Sequence, residues 1–222
     1  MVAMTENQSR DEICRVGKSL FDRGYVHATA GNISVRLDDG FLITPTDACL
    51  GSLDPNTLAK IDPNGVQIGG DKASKTQALH RQIYACAIRF DPLTRCIIHT
   101  HSTHCVALTV KDDLVELLAP ITPYFVMKVG HVPVIAYSHP GSVQAIEDTT
   151  SVINTYGEIG TPVRAVMLSK LGPSVWHQSP ALAMAVLEEI EETAKLTLLA
   201  PESTALTDNQ INSLRQQFGA RW

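Results

Sequence analysis

The stretch IIHTHSTHC, Ile97 to Cys105, follows an apolar run with three histidines in six residues. Successive side chains of a β-strand point to opposite faces, so a strand here turns His99 and His101 to the same side, one step apart. That spacing suits two ligands of one metal ion. A zinc site draws three or four ligands from the protein, so the remaining donors have to come from elsewhere in the chain. The segment just before, TQALHRQIYACAI (76–88), places Leu79, Ile83 and Ala87 four residues apart and reads as a helix. A helix feeding the strand RCIIHTH is the beginning of an α/β fold.

Outward from there, DEICRVGKSLFDRG (11–24) carries Ile13, Val16, Leu20 and Phe21 at helical spacing and closes on Gly24, a left-handed cap. NISVRLDDGFLITP (32–45) is a hairpin, because two β-rich runs flank Asp39-Gly40. HVPVIAY (131–137) and VRAVMLS (163–169) read as strands, the second apolar on both faces and so central in its sheet. GSVQAIEDTTSVINTYG (141–157) reads as a helix between them. SPALAMAVLEEIEETAKLTLL (179–199) is a long helix with Ser179 as N-cap, Pro180 at the first position, and Leu182, Val186, Ile190 and Ala194 along one face. A last helix opens on a Thr207/Gln210 capping box and buries Ile211, Leu214 and Phe218. The expected class is α/β, with helices packed against one central, mostly antiparallel sheet in a single domain spanning 1–222.

A chain of 222 residues with 44% hydrophobic content buries one substantial core. No linker, fixed-period repeat or low-complexity run divides it. The net charge of −5 and the lack of a Lys/Arg cluster argue against nucleic acid as a partner. No run of about 18 apolar residues suggests a membrane span. The stretch MVAMTENQSRDE is polar and acidic, unlike a secretion signal, so the expected location is cytoplasmic. Cys14, Cys49, Cys86, Cys96 and Cys105 are odd in number and form no C-x-x-C pair, which fits reduced thiols.

TAGNISVR (29–36), LITPT (42–46), HTHSTH (99–104) and EEIEETAKL (188–196) together resemble the class II aldolase/adducin family, typified by L-fuculose-phosphate aldolase. LGSLDP (50–55), GDKASK (70–75), TPYFVMKVG (122–130) and LTDNQINSLRQQFG (206–219) are similar to its 3-oxo-tetronate 4-phosphate decarboxylase branch. The resemblance implies a zinc ion held by the two histidines of the H-x-H, here His99 and His101, a third histidine, and an acidic residue as ligand or acid/base. The metal would act as a Lewis acid on the enediolate left when a carbon–carbon bond breaks. It further implies substrate contacts from Thr29, Asn32, Thr46, Asp47, Ser74 and Lys75, catalytic roles for Lys75 and Tyr124, a small sugar-acid or sugar-phosphate substrate, and a homotetramer with sites shared between subunits. The long apolar stretch VELLAPITPYFVM (115–127) fits such contacts.

Three positions depart from that pattern. Thr76 stands where the carboxylate belongs, four residues before His80, and Leu171 stands where the third histidine belongs, in an apolar strand followed by Gly172. Asp47 replaces the glycine of a T-P-T-G turn that brings backbone N–H groups to a phosphate, adding bulk and negative charge. His80, His104 and His177 are other imidazoles to weigh as replacement ligands, each better read as a hydrogen-bonded or exposed side chain. Lys170 is weighed as an anion contact. Three functions follow: a zinc-dependent carbon–carbon lyase (decarboxylase or aldolase) with an incomplete metal site, an inactive member serving as a binding or scaffold subunit, and a metal-free site using Asp47 as acid/base.

Overall fold

The computed structural model describes residues 4–111 and 113–222; residues 1–3 of the polar amino-terminal stretch lie outside it. The first helix, α1, spans Glu6–Asp22, longer at its start than the apolar spacing suggests. Its start is set by a capping box, Thr5 with Gln8, well before Ile13, where the apolar periodicity begins. Gly24, at φ +76°, follows the helix as expected for a left-handed cap.

β1 (Asn32–Leu37) and β2 (Gly40–Ile43) form the hairpin read from Asp39-Gly40. β3 (Ala59–Ile61) and β4 (Gln67–Gly69) extend it outward, α2 is Gln77–Ala87, and β5 is Cys96–His99. After α3 (Thr103–Lys111) and α4 (Pro123–Lys128) come β6 (Val134–Ile135), α5 (Val143–Glu158), β7 (Ala165–Leu168) and β8 (Gly172–His177). α6 (Pro180–Leu199) and α7 (Asp208–Phe218) complete the order. Among the described residues the strands form one eight-stranded sheet ordered β4-β3-β2-β1-β5-β8-β7-β6, antiparallel except between β6 and β7. The expected α/β class with a mostly antiparallel sheet is the architecture observed.

Both faces of the sheet are covered, and the alternation within β5 shows how. Cys96 and Ile98 join Ile13, Leu20, Leu187 and Ile190 on the side of α1, α3 and α6, while Ile97 joins Ile83, Ile153 and Trp176 on the side of α2 and α5. β7 is buried at all four positions but lies one strand in from the β6 edge rather than in the middle. Its doubly apolar pattern reports helices on both faces, which here extend to the margin.

Several expectations need correction. Phe218 is 60% exposed and Leu182 is 42% exposed, so each apolar stripe is narrower than its periodicity suggests. Phe21, 37% exposed, packs on the α-carbon side of Gly51 instead of entering the core. VELLAPITPYFVM is no exposed loop. Thr122 caps α4, Pro123 starts it, and Leu117, Leu118, Phe125 and Val126 are buried within the chain, leaving Val115 and Tyr124 outside. Leu171 lies in the turn between β7 and β8, not on a strand, because Lys170 at φ +63° and Gly172 at φ +143° reverse the chain there.

A Cβ on Gly172 would stand 1.9 Å from the Thr100 carbonyl oxygen, whereas one on Gly24 would meet nothing within 4 Å. Gly24 at φ +76° lies where an alanine is merely disfavoured, whereas Gly172 at φ +143° lies where it is barely tolerated, so contact and backbone strain act together at Gly172. We expect Gly172→Ala to lose on the order of 2–4 kcal/mol in urea unfolding and Gly24→Ala about 1 kcal/mol. Equal losses would mean that neither the Thr100 contact nor the backbone at Gly172 restricts this position.

Candidate active site

The site is assembled by backbone pairing at one end of the sheet. Asn32 at the start of β1 pairs with His99 at the end of β5. One residue earlier, Gly31 sits at φ +86°, and a Cβ there would stand 2.8 Å from the His99 carbonyl oxygen. Thr44 ties the next turn to the same place: its N–H donates to the Ile33 carbonyl, its hydroxyl accepts from the Ile33 N–H, and its carbonyl accepts from the Ser74 N–H. The Thr46 N–H donates to the Lys72 carbonyl at 2.8 Å. Asn32, and through Thr44 also Ser74, are thereby tied to the strand end that carries His99, while Lys75 lines a separate cavity. Tyr124 stands apart on α4, 61% exposed.

His99 is held in one tautomer. Its Nδ1 lies 3.0 Å from the Pro173 carbonyl oxygen and 3.1 Å from the Ser174 hydroxyl. A carbonyl only accepts, so Nδ1 carries the proton and Nε2 presents a lone pair. Burial pushes the His99 pKa down to about 3, assisted by nearby His101 and opposed by the Pro173 bond, so the ring is neutral at pH 7. His101 is half-buried; burial and then His27 lower its pKa. The His99 and His101 ring centroids are 5.2 Å apart. A neutral imidazole anchored through one nitrogen to a carbonyl, with the other free, is the usual form of a metal-ligating histidine.

The other half of a four-ligand site does not fit. Thr76 occupies the N-cap of α2 without capping it, and its hydroxyl lies 3.0 Å from the Ser74 hydroxyl. Leu171 packs against the core on the α2 and α5 side. Thr76 and Leu171 both line an apolar cavity of about 40 Å³, with Lys75 and Ser142 among its other walls; neither His99 nor His101 lines it. Among the described residues, no three His, Cys, Asp or Glu side chains are grouped to enclose one ion as they stand.

The weighed histidines have other employment. The Glu191 carboxylate, 7% exposed, takes the His104 and Cys105 N–H groups at the start of α3 and bonds the His104 ring at 2.8 Å. His177 pairs with Cys96 at the opposite end of β5, its Nδ1 accepting from the Gln178 N–H, so it is too far along the strand to complete a site with His99. The His80 Nδ1 meets the Ser34 hydroxyl at 2.8 Å, and that hydroxyl also meets Tyr84. His80 Nε2 and Asn32 Oδ1 are buried without a hydrogen-bond partner in the described protein. Asp47 is exposed at φ +58°, a conformation that favours glycine. Lys170, also at positive φ, donates its N–H to the Thr109 hydroxyl.

His27 is the residue the sequence reading missed. It is exposed, with its ring centroid 6.5 Å from that of His101. The signal was available in register: once Asn32 pairs with His99, the residues before Asn32 run beside those after His99.

A family model for the class II aldolase and adducin N-terminal domain matches residues 11–198. The 3-oxo-tetronate 4-phosphate decarboxylase of Cupriavidus necator is 47% identical across 98% of this chain and 99% of that protein. Among solved structures, YgbL of Klebsiella pneumoniae, described as a candidate aldolase/epimerase/decarboxylase, superposes with TM-score 0.85 at 37% identity, covering 96% of this chain and 100% of that one. An L-fuculose 1-phosphate aldolase shares the fold, with TM-score 0.81 at 22% identity over 98% of each chain. The chain belongs to the class II aldolase/adducin family. Among the described residues no helix is long and apolar enough to cross a membrane.

Two effects are measurable without a substrate. Burial lowers the His80 and His99 pKa values to about 3, below the unfolded value near 6.5, so the unfolded chain takes up their protons first. The stabilisation is fully present above about pH 6.5 and falls by roughly 1.4 kcal/mol per pH unit per ring as the pH drops toward 3. We expect urea unfolding of His80→Gln to show a shallower acid slope than the parent; identical slopes would show that His80 is not buried neutral. Asp47→Gly relieves the left-handed backbone and should gain about 1 kcal/mol, raising Tm by roughly 2–4 °C. A lowered Tm would mean that Asp47 makes a stabilising contact.

Proposed function

We propose that the protein is a carbon–carbon lyase that decarboxylates a small phosphorylated sugar acid with a 3-oxo group, working with an altered metal site. The observation that carries this reading is the pairing of Asn32 with His99, which sets a buried, unpartnered amide oxygen beside an imidazole of fixed tautomer. Similarity to the Cupriavidus necator decarboxylase over nearly the whole of both chains supports the substrate class. Asn32 Oδ1 accepts a substrate hydroxyl, while Ser74 and Lys75 hold the anionic end. As the carboxylate leaves as carbon dioxide, its electron pair moves onto the neighbouring carbonyl oxygen, and the pocket has to stabilise that charge. Neutral His99 offers a lone pair there, which binds a cation and cannot donate to an oxyanion. The family's zinc therefore belongs to this reading, with His99 and His101 as two of its ligands and Thr76 and Leu171 supplying none.

The same reading includes a homotetramer in the cytoplasm, with Tyr124 reaching a neighbouring subunit's site; its exposure on α4 supports this. A second reading, a family member kept as a binding or scaffold subunit, is favoured by the two missing donors. One series separates them, with carbon dioxide release from 3-oxo-tetronate 4-phosphate as the assay. We expect slow turnover by the parent and a gain of roughly a hundredfold in Thr76→Glu/Leu171→His/Asp47→Gly, which restores the donors and the room for phosphate. A parent as fast as the triple variant would show that those residues are not needed. No turnover in either would favour the scaffold reading.

A further inference from the structure

We propose that the cavity between the first turns of α2 and α5 is a pocket for a small organic anion, taking a short alkyl group inside and leaving the charge at Lys75. The inference shares Lys75 with the proposed function and requires neither turnover nor a metal. α2 and α5 pack side by side and are closed at their carboxyl ends. There the Phe90 ring lies so tightly on Gly157 that a Cβ would stand 2.5 Å from it, and Arg89 donates to the Asn154 side chain at 2.9 Å. At their amino ends the same two helices border a cavity of about 40 Å³ instead. Leu79 and Leu168 are its buried walls, with half-buried Ile146 and Leu171 beside them. Ala78 on α2 and Ala145 on α5 also border it, and a longer side chain at either would take up the space.

Size and chemistry together select the occupant. A water molecule takes up about 30 Å³ of liquid and a methylene is of similar size, so the cavity holds one or two carbons. Its surface is largely apolar. Two of the hydroxyls that border it are already bonded, Thr76 to the Ser74 hydroxyl at 3.0 Å and Ser142 to the Gln144 N–H at 3.2 Å. Carbon suits such walls better than an ordered water, which makes two to four hydrogen bonds. The exposed rim is different: it carries Lys75, and none of the described residues that border the cavity is acidic. Gly141, at φ +82°, brings the loop before α5 against the start of α2, where a Cβ would stand 3.8 Å from the Lys75 carbonyl oxygen. The positive ends of both helix dipoles therefore reinforce the ammonium at the rim. A short-tailed anion satisfies both features at once, whereas an uncharged or long-chain molecule satisfies one. Short-chain carboxylates and alkyl phosphates share this chemistry.

The test is titration of the full chain with two homologous series, formate to butyrate and inorganic phosphate to propyl phosphate. Binding is followed through the carbon-13 methyl signals of Leu79, Ile146, Leu168 and Leu171. In at least one series affinity is expected to rise roughly fourfold per carbon through the first two carbons and then level off, with those methyl signals shifting together. The series that rises identifies the charged end. Ala145→Leu, which fills the cavity from α5, is expected to flatten the rise and leave binding of the tail-less anion unchanged. Ala78→Leu does the same from an exposed position on α2, so the test survives if one variant misfolds. Lys75→Met is expected to weaken every member by a similar factor and keep the slope. Two flat series in the parent, or a slope that persists in both filled variants, would overturn the inference. If inorganic phosphate shifts the Ser74 and Lys75 amides while both series are flat, the anionic end of the proposed function stands and this pocket falls. A rising carboxylate series with no response to any phosphate has the opposite meaning.

Discussion

The site depends on how closely backbone can approach the end of β5. Gly31 lies against the His99 carbonyl on one side and Gly172 against the Thr100 carbonyl on the other, at separations that a Cβ would not permit. The strand end is clamped between the turn entering β1 and the turn entering β8. From the second turn Pro173 offers its carbonyl to the His99 ring. The first delivers Asn32 beside His99 and sets the His27 ring 6.5 Å from that of His101. Close packing thus has a chemical consequence: it fixes which nitrogen of His99 carries the proton and which keeps its lone pair.

The same clamp leaves Thr76 and Leu171 without a part in holding the strand end. Thr76 and Leu171 need only fill space, and they do so along an apolar cavity on the α2 and α5 face. A carboxylate there would need a charge partner once buried, and an imidazole a second hydrogen bond; a threonine bonded to Ser74 and a leucine packed on the core need neither. Asp47 and Ala28 differ in kind. Each holds a left-handed conformation that a Cβ disfavours, so the surrounding turns impose a backbone shape that these side chains do not themselves favour.

Much of this was legible in the chain. Asp39-Gly40 announced the hairpin, the Thr207/Gln210 and Ser179/Pro180 signals placed two helix starts, and the short apolar run before His99 placed the strand that ends on it. The failures share a cause in local signals overruled by context. β8 opens on Gly-Pro, which reads as a break, yet the proline sits at the strand's second position, beside the crowded turn. β4 is three exposed residues with no apolar face to betray it. Phe218 lies on a helix whose buried contact narrows to Ile211. At the site, spacing identified His99 and His101. His27 escaped because its proximity depends on strand register across more than sixty residues, which periodicity does not encode.

The central claim is that the end of β5 and the residues just past it bring the His99 and His101 rings together to face one ion, away from Thr76 and Leu171. Crystals grown with zinc(II), measured above and below the zinc absorption edge, test it directly through the anomalous difference map. The expected peak lies about 2.0–2.1 Å from Nε2 of both His99 and His101, with neither Thr76 nor Leu171 in contact. An ion bound through Nδ1 of His99, or a peak at His104 and Glu191 with none at the end of β5, would contradict the account.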